Sequence, residues 1–194
     1  MLTEKQLITR LKSGDVDALK LLMQKYQDFV YTLALQMVKS KQVAEELTQD
    51  VFIKVFKKIN TFAEKSKFST WLYTITYRSS LNYLEKKQIV FNLSELEHEN
   101  NSDGNEILAN NIDDAEENYT FEESEKQKIL WSAIDRLPVQ QGSIIMLHYL
   151  QQFSIREISE MMTIPASTVK THLFRGRGLL KSILLKNYSQ EELL

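Results

Sequence analysis

In the stretch STVKTHLFRGRG, Lys170, Thr171, Phe174 and Arg175 recur at spacings that share one face of a helix. These residue types do not assemble a nucleophile and its base; they make contacts to a nucleic acid. Arg and Lys pair with guanine edges or phosphates, Thr serves either, and Phe reaches a thymine methyl. Ser167 opens the same face and Arg177 extends the charge beyond it. Attraction between cations and a helix C-terminus accounts for Arg177 and Lys181. It does not account for Lys170 or for a phenylalanine turned outward.

A second cluster interleaves rings with cations. The loop TFAEKSKF carries Phe62, Lys65, Lys67 and Phe68, and the helix expected after it adds Arg78, Asn82, Tyr83, Lys86 and Lys87. Bases of a single strand stack on rings while Lys and Arg hold the phosphates. Trp71 is expected in the core. The third candidate surface lies on VAEELTQDVFIKVFKKI. There Val43, Leu47, Val51, Val55 and Ile59 form an apolar seam, yet Ile53 falls among Glu46, Gln49 and Lys57 on the polar side. Either this helix is buried widely at the centre of a bundle, or the surface around Gln49, Asp50 and Ile53 docks a partner.

The elements that must hold these side chains are helices. The 194 residues include only five glycines and two prolines, while Leu, Lys, Glu, Gln and Ile are abundant. The expected fold class is all-α. Ala18, Leu22, Phe29, Leu33 and Met37, with Tyr26 between them, mark one helix with Asp15 as its N-cap. Ser69 is a good N-cap for another, from about Thr70 to Lys87, with Phe68 and Tyr73 stapled around it. Further on, one helix ends at Pro138 and a second covers QQGSIIMLHYL despite Gly142. SIREISEMM supplies a short third helix capped by Ser154, and a longer one begins near Ser167 after the turn TIPAS. The last two form a helix-turn-helix, whose second helix enters the major groove by its N-terminal half. Gly176 and Gly178 each cost up to about 1 kcal/mol relative to Ala inside a helix, which predicts fraying after Arg175.

Charge is segregated along the chain although the formal net charge is −2. Residues 1–90 hold 15 Lys and Arg against 9 Asp and Glu, and residues 126–194 hold 9 against 5. Between them, residues 91–125 hold 12 Asp and Glu and no Lys or Arg. Such a strip, with little apolar periodicity, reads as a flexible acidic linker between two small helical domains. It also imitates nucleic acid, and could shield the basic blocks or lie in a basic channel. The absence of cysteine excludes disulfides and thiolate sites, and His98, His148 and His172 are too scattered for a ligand set. No enzyme activity, cofactor, metal or small-molecule substrate is expected. MLTEKQLITRLKSGD has no apolar core of a signal peptide, and no run of eighteen apolar residues occurs. A cytoplasmic protein is expected.

Taken in order, AEELTQDVFIKVFKKI, FSTWLYTI, LP followed by a helix, and EISEMMTIPASTVKTHLFRGR resemble the signature segments of bacterial extracytoplasmic-function (ECF) sigma factors. The resemblance covers nearly all the chain outside residues 91–125. It implies a promoter-specificity subunit that acts on core RNA polymerase and helps melt promoter DNA. Residues 1–90 would bind the clamp coiled-coil through Gln49, Asp50 and Ile53. Their minus-ten contacts would be Phe62, Lys65, Lys67, Phe68, Arg78, Asn82, Lys86 and Lys87. Residues 126–194, beside the polymerase flap, would read the minus-thirty-five element with Ser167, Lys170, Thr171, Phe174, Arg175 and Arg177. An anti-sigma factor, often membrane-bound, is a further implied partner. Arg78 departs from the Asn or Asp common in the family, and Met162-Thr163 from its Leu-Gly turn. Two other functions fit the residues alone: a homodimeric helix-turn-helix regulator, or an adaptor docking a protein through residues 43–59.

Overall fold

The computed structural model describes residues 2–98 and 125–187. Every element among them is helical: α1 (Glu4–Lys12), α2 (Val16–Val38), α3 (Lys41–Lys58), α4 (Phe68–His98), α5 (Glu125–Asp135), α6 (Val139–Ile145), α7 (Ile155–Met162) and α8 (Ala166–Asn187). A single 3-10 turn, Ile59–Thr61, closes α3, and a π-helical turn, Met146–Leu150, follows α6. None of the described helices is long and apolar enough to cross a membrane. Helix α4 runs to His98, eight residues into the stretch expected to be linker. The remainder of that acidic stretch, residues 99–124, lies outside the described residues.

Local chemistry explains the helix starts. The Asp15 carboxylate accepts from the backbone N–H groups of Asp17 and Ala18, as an N-cap should. Helix α1, which apolar patterning alone did not single out, begins with a capping box between Thr3 and Gln6. Ser154 and Glu157 form a second box at α7. The expected cap at Ser69 is displaced: α4 starts at Phe68, and the Lys67 carbonyl accepts from the Trp71 N–H. Phe68 is drawn into the first turn because its ring is buried between Tyr26, Phe62 and Trp71.

Those rings belong to a chain of aromatic contacts that organises the first half. Phe62 packs on Phe68 and Trp71, Phe68 on Tyr26, and Tyr73 on both Tyr26 and Phe29, with centroids 4.8–6.2 Å apart. Edge-on and tilted ring pairs at such distances add about 0.5–1.5 kcal/mol each beyond their burial. Glu4 of α1 accepts from the Tyr26 hydroxyl and pairs with Lys25, which ties α1 to the bundle. Val51, Phe52 and Val55 of α3 close the core from the other side.

The halves are joined. Tyr73, 1% exposed, meets Phe153 edge-on at 5.7 Å, and its hydroxyl donates to Gln151 Oε1 at 3.3 Å. The buried Gln36 amide donates to the Ile134 carbonyl at 3.3 Å, and Lys39 Nζ donates to the Asp135 carbonyl at 2.7 Å. Apolar residues of both halves therefore form one continuous cluster.

In the second half α8 is unbroken to Asn187, so the expected fraying after Arg175 does not occur. Packing explains it. A Cβ at Gly176 would lie 3.2 Å from Ile145 Cγ1 and 3.4 Å from Gln141 Cβ, so glycine permits the close approach of α6 to α8. Gly178 meets nothing within 4 Å. At the turn before α8, Thr163 adopts φ 59°, a left-handed conformation unusual for a β-branched residue. Ser159 bridges that turn by donating to the Ile164 carbonyl at 2.6 Å.

The two glycines should respond oppositely to a larger side chain. Gly176→Leu is expected to destabilise the chain by about 1–3 kcal/mol through overpacking. Gly178→Ala is expected to stabilise it by up to ~1 kcal/mol through helix propensity. Denaturant unfolding of the full chain checks both signs.

Candidate nucleic-acid interface

Helix α8 divides cleanly into two faces. Val169, Leu173 and Gly176 are buried, and with Leu180 half-buried they seat the helix on α5–α7. On the other side Ser167, Lys170, Thr171, Phe174 and Arg175 are all exposed. Phe174 is 72% exposed, with no intramolecular reason to face water. Arg177 lies at the edge of this face beside Lys170, with Nη1 at 3.5 Å from the Tyr149 hydroxyl. The Thr171 hydroxyl donates to the Ser167 carbonyl at 3.0 Å, which fixes its rotamer on the helix. Cations and a protruding ring at the open end of a helix-turn-helix form a surface able to enter a groove of DNA.

Helix α4 carries the second surface. Arg78, Asn82 and Lys86 are exposed and recur every fourth residue, giving a polar stripe along the helix, with Lys87 beside it. Lys65 and Lys67 are exposed in the loop at its start. Phe62 and Phe68 differ from the expectation of exposed stacking rings: they are 4% and 2% exposed. Each fills the aromatic core under the loop, where burial of a large ring outweighs its display. The loop is held from α1, since Lys12 pairs with Glu64 at 2.6 Å and sits over the Phe62 ring. Trp71, expected inside, is only half-buried and rests on Phe62 and Phe68. Its backbone N–H donates to the Lys67 carbonyl, so a ring that still reaches solvent sits one turn from the loop cations.

The third surface lies on α3. Gln49, Asp50 and Ile53 are exposed together, and Phe56 extends the strip one turn further. Ile53 is 50% exposed, so α3 is not buried all round. Ile53 and Phe56 thus form a small exposed apolar strip on a solvent-facing helix.

Charge couples the loop to the second half. Glu157 caps α7 and its Oε1 also accepts from the Thr70 hydroxyl at 3.4 Å. Burial opposes its ionisation, yet the Ser154 N–H and hydroxyl, the Lys67 charge and Thr70 together hold its pKa below the ordinary value. Burial, assisted by the nearby charge of Glu4, raises the Tyr73 pKa well above its ordinary value, so its hydroxyl remains a donor to Gln151.

Both halves of the chain are similar to known proteins. Residues 22–89 match the family model of Sigma-70 region 2, and residues 127–180 that of Sigma-70, region 4. Over 184 residues the chain is 32% identical to the ECF RNA polymerase sigma factor SigW of Bacillus subtilis, covering 93% of this chain and 96% of that protein. It is 32% identical over 181 residues to the ECF RNA polymerase sigma-E factor of Escherichia coli K12, covering 91% of each. Among solved structures, the fold is similar to the sigma factor RpoE in complex with the anti-sigma factor NepR from Bartonella quintana. That match has a TM-score of 0.62 at 18% identity, covering 87% of this chain and 97% of that one. CnrH in complex with the cytosolic domain of CnrY gives 0.60 at 15% identity, covering 93% and 96%.

The Glu157 contribution has a definite pH sign. Because the folded pKa lies below the ordinary 4.5, its stabilisation is complete above that value and is lost as pH falls through the lowered one. Glu157→Gln is therefore expected to weaken the chain at neutral pH and to flatten its loss of stability in acid. Denaturant midpoints measured between about pH 3 and pH 7 check this, and parallel profiles for both proteins would refute it.

Proposed function

The chain belongs to the ECF RNA polymerase sigma factors, and from that premise we propose how its three exposed surfaces divide the work of starting transcription. A sigma factor confers promoter specificity on RNA polymerase and performs no catalysis of its own. Residues 1–90 form the domain that meets core polymerase and the minus-ten element. The α3 strip of Gln49, Asp50 and Ile53 docks on the clamp coiled-coil. Along α4, Arg78, Asn82, Lys86 and Lys87, with Lys65 and Lys67 of the loop, hold the phosphates and bases of the melted strand. Trp71 offers the stacking edge that the buried Phe62 and Phe68 do not.

Residues 126–194 form the domain that reads the minus-thirty-five element, through Lys170, Thr171, Phe174 and Arg175, with Ser167 and Arg177 on phosphates. The observation that carries this reading is the largely exposed Phe174 among cations on the outer face of α8. The chemistry supplied is binding energy. Flipping a base costs a few kcal/mol, and stacking on a ring returns about 1–3 kcal/mol, so polymerase contacts must complete the opening. A structurally similar sigma factor, RpoE of Bartonella quintana, is in complex with the anti-sigma factor NepR. We assign this chain a similar protein partner and a cytoplasmic place of work, at the inner membrane when that partner is membrane-bound.

Run-off transcription with bacterial core polymerase on promoter fragments tests the reading. Discrete new transcripts are expected only when core and this protein are both present. Lys170→Glu or Arg175→Glu is expected to lower their yield at least about fivefold, since each good base contact contributes ~1–3 kcal/mol. Ile53→Asp should instead weaken co-purification with core while leaving the fold intact. Specific duplex binding by the protein alone, without transcripts, would replace this reading with a free-standing homodimeric regulator.

A further inference from the structure

We propose that helix α1 is the fastening of the minus-ten loop: Lys12 holds and neutralises Glu64, so that the loop offers Lys65 and Lys67 to the melted strand as unopposed cations. The inference rests on the assignment of that loop to the minus-ten element. Helix α1 lies ahead of residues 22–89, the stretch that matches Sigma-70 region 2, yet it reaches into that stretch at the loop. Glu64 stands out there in two ways. Its backbone is left-handed, with φ 58°, a conformation that suits glycine and costs an L side chain. Its carboxylate is also the single acidic group of TFAEKSKF, beside two lysines assigned to phosphates. Left free, it would repel the strand that Lys65 and Lys67 attract.

A strained backbone persists only where its surroundings hold it, and the group that holds Glu64 comes from α1. Lys12 Nζ donates to Glu64 Oε1 at 2.6 Å, across 52 residues of sequence, and stands 5.8 Å from the centre of the Phe62 ring. The hydrogen bond and charge of Lys12, with a smaller share from Lys5, keep the Glu64 pKa below its ordinary value. Lys12 can anchor the loop because its own helix is fixed. Leu7, Ile8 and Leu11 are buried, Thr3 and Gln6 box the start, and Glu4 is bound by Lys25 and the Tyr26 hydroxyl. The last turn of α1 carries Lys12 to the base of the loop, at the 3-10 turn Ile59–Thr61. With Phe62 and Phe68 buried at its ends, the loop is pinned by a ring, an ion pair and a second ring. A loop already ordered in this way loses little freedom when a strand binds it. The Lys12 and Glu64 side chains are 29% and 45% exposed, so their pair adds little to overall stability and its effect is local.

Promoter opening by the full chain with bacterial core polymerase, read as permanganate reactivity of unpaired thymines, tests this beside the denaturant midpoint of the free protein. Lys12→Glu is expected to lower the open fraction about fivefold, because two carboxylates then face the strand, while the midpoint moves little. Adding Glu64→Lys, which reverses the pair, should recover most of the loss, short of the cation on the Phe62 ring. Glu64→Gly keeps the left-handed turn without the charge, and is expected to open the promoter at least as well as the wild type. Opening unchanged by Lys12→Glu, or a loss that Glu64→Lys does not relieve, would overturn the fastening. A loss that follows the denaturant midpoint would reduce α1 to a structural support and overturn it equally. Lys65→Glu alters the loop without touching the pair and should also lower opening. A promoter that opens normally with Lys65→Glu, or one that the wild type itself does not open, would instead remove the minus-ten assignment on which the proposal rests.

Discussion

Tyr73 is the residue on which both halves of the molecule lean. Its ring is enclosed by Tyr26 and Phe29 from α2 and by Phe153 from the second half. A buried hydroxyl costs free energy unless it is bonded, and the partner it finds, Gln151, lies across the joint. Satisfying one side chain therefore brings together segments 78 residues apart in sequence. The apolar clusters of the two halves merge at this point, and the orientation of α4 relative to α7 follows from it.

The joint differs in kind from the cores on either side. Within each half, Leu, Val, Ile and aromatic side chains pack helix against helix. Across the joint one ring pair is accompanied by long hydrogen bonds at 3.3–3.5 Å and one short bond from Lys39. These polar contacts rim a continuous apolar cluster shared by both halves.

Division of labour within single helices recurs through the structure. Helix α8 buries Val169, Leu173 and Gly176 and turns Lys170, Phe174 and Arg175 outward; α4 buries Leu72, Tyr73, Thr76 and Tyr77 and turns Arg78, Asn82 and Lys86 outward. The 3.6-residue period makes this economical, because each turn contributes one residue to packing and one to display. The loop before α4 uses its phenylalanines as an anchor for its lysines, which are positioned by rings that never reach the surface.

The sequence alone determined the helical class, the helix-turn-helix, the Asp15 and Ser154 caps and the outward face of α8, since each rests on local chemistry: propensity, capping and the period of apolar residues. The Thr3 box was equally local and was missed for want of a long apolar seam behind it. Only the tertiary structure decided which rings are inside. Phe62 and Phe68 carry the same residue type as Phe174, yet the first two are buried and the third is exposed, and what separates them is whether other helices leave a space to fill. The glycines of α6 and α8 were read as weak points because helix propensity is a property of one helix. For two of them the reason lies in neighbours, Ile145 for Gly176 and Gln36 for Gly142, and no single segment of sequence records how closely a second segment will approach it.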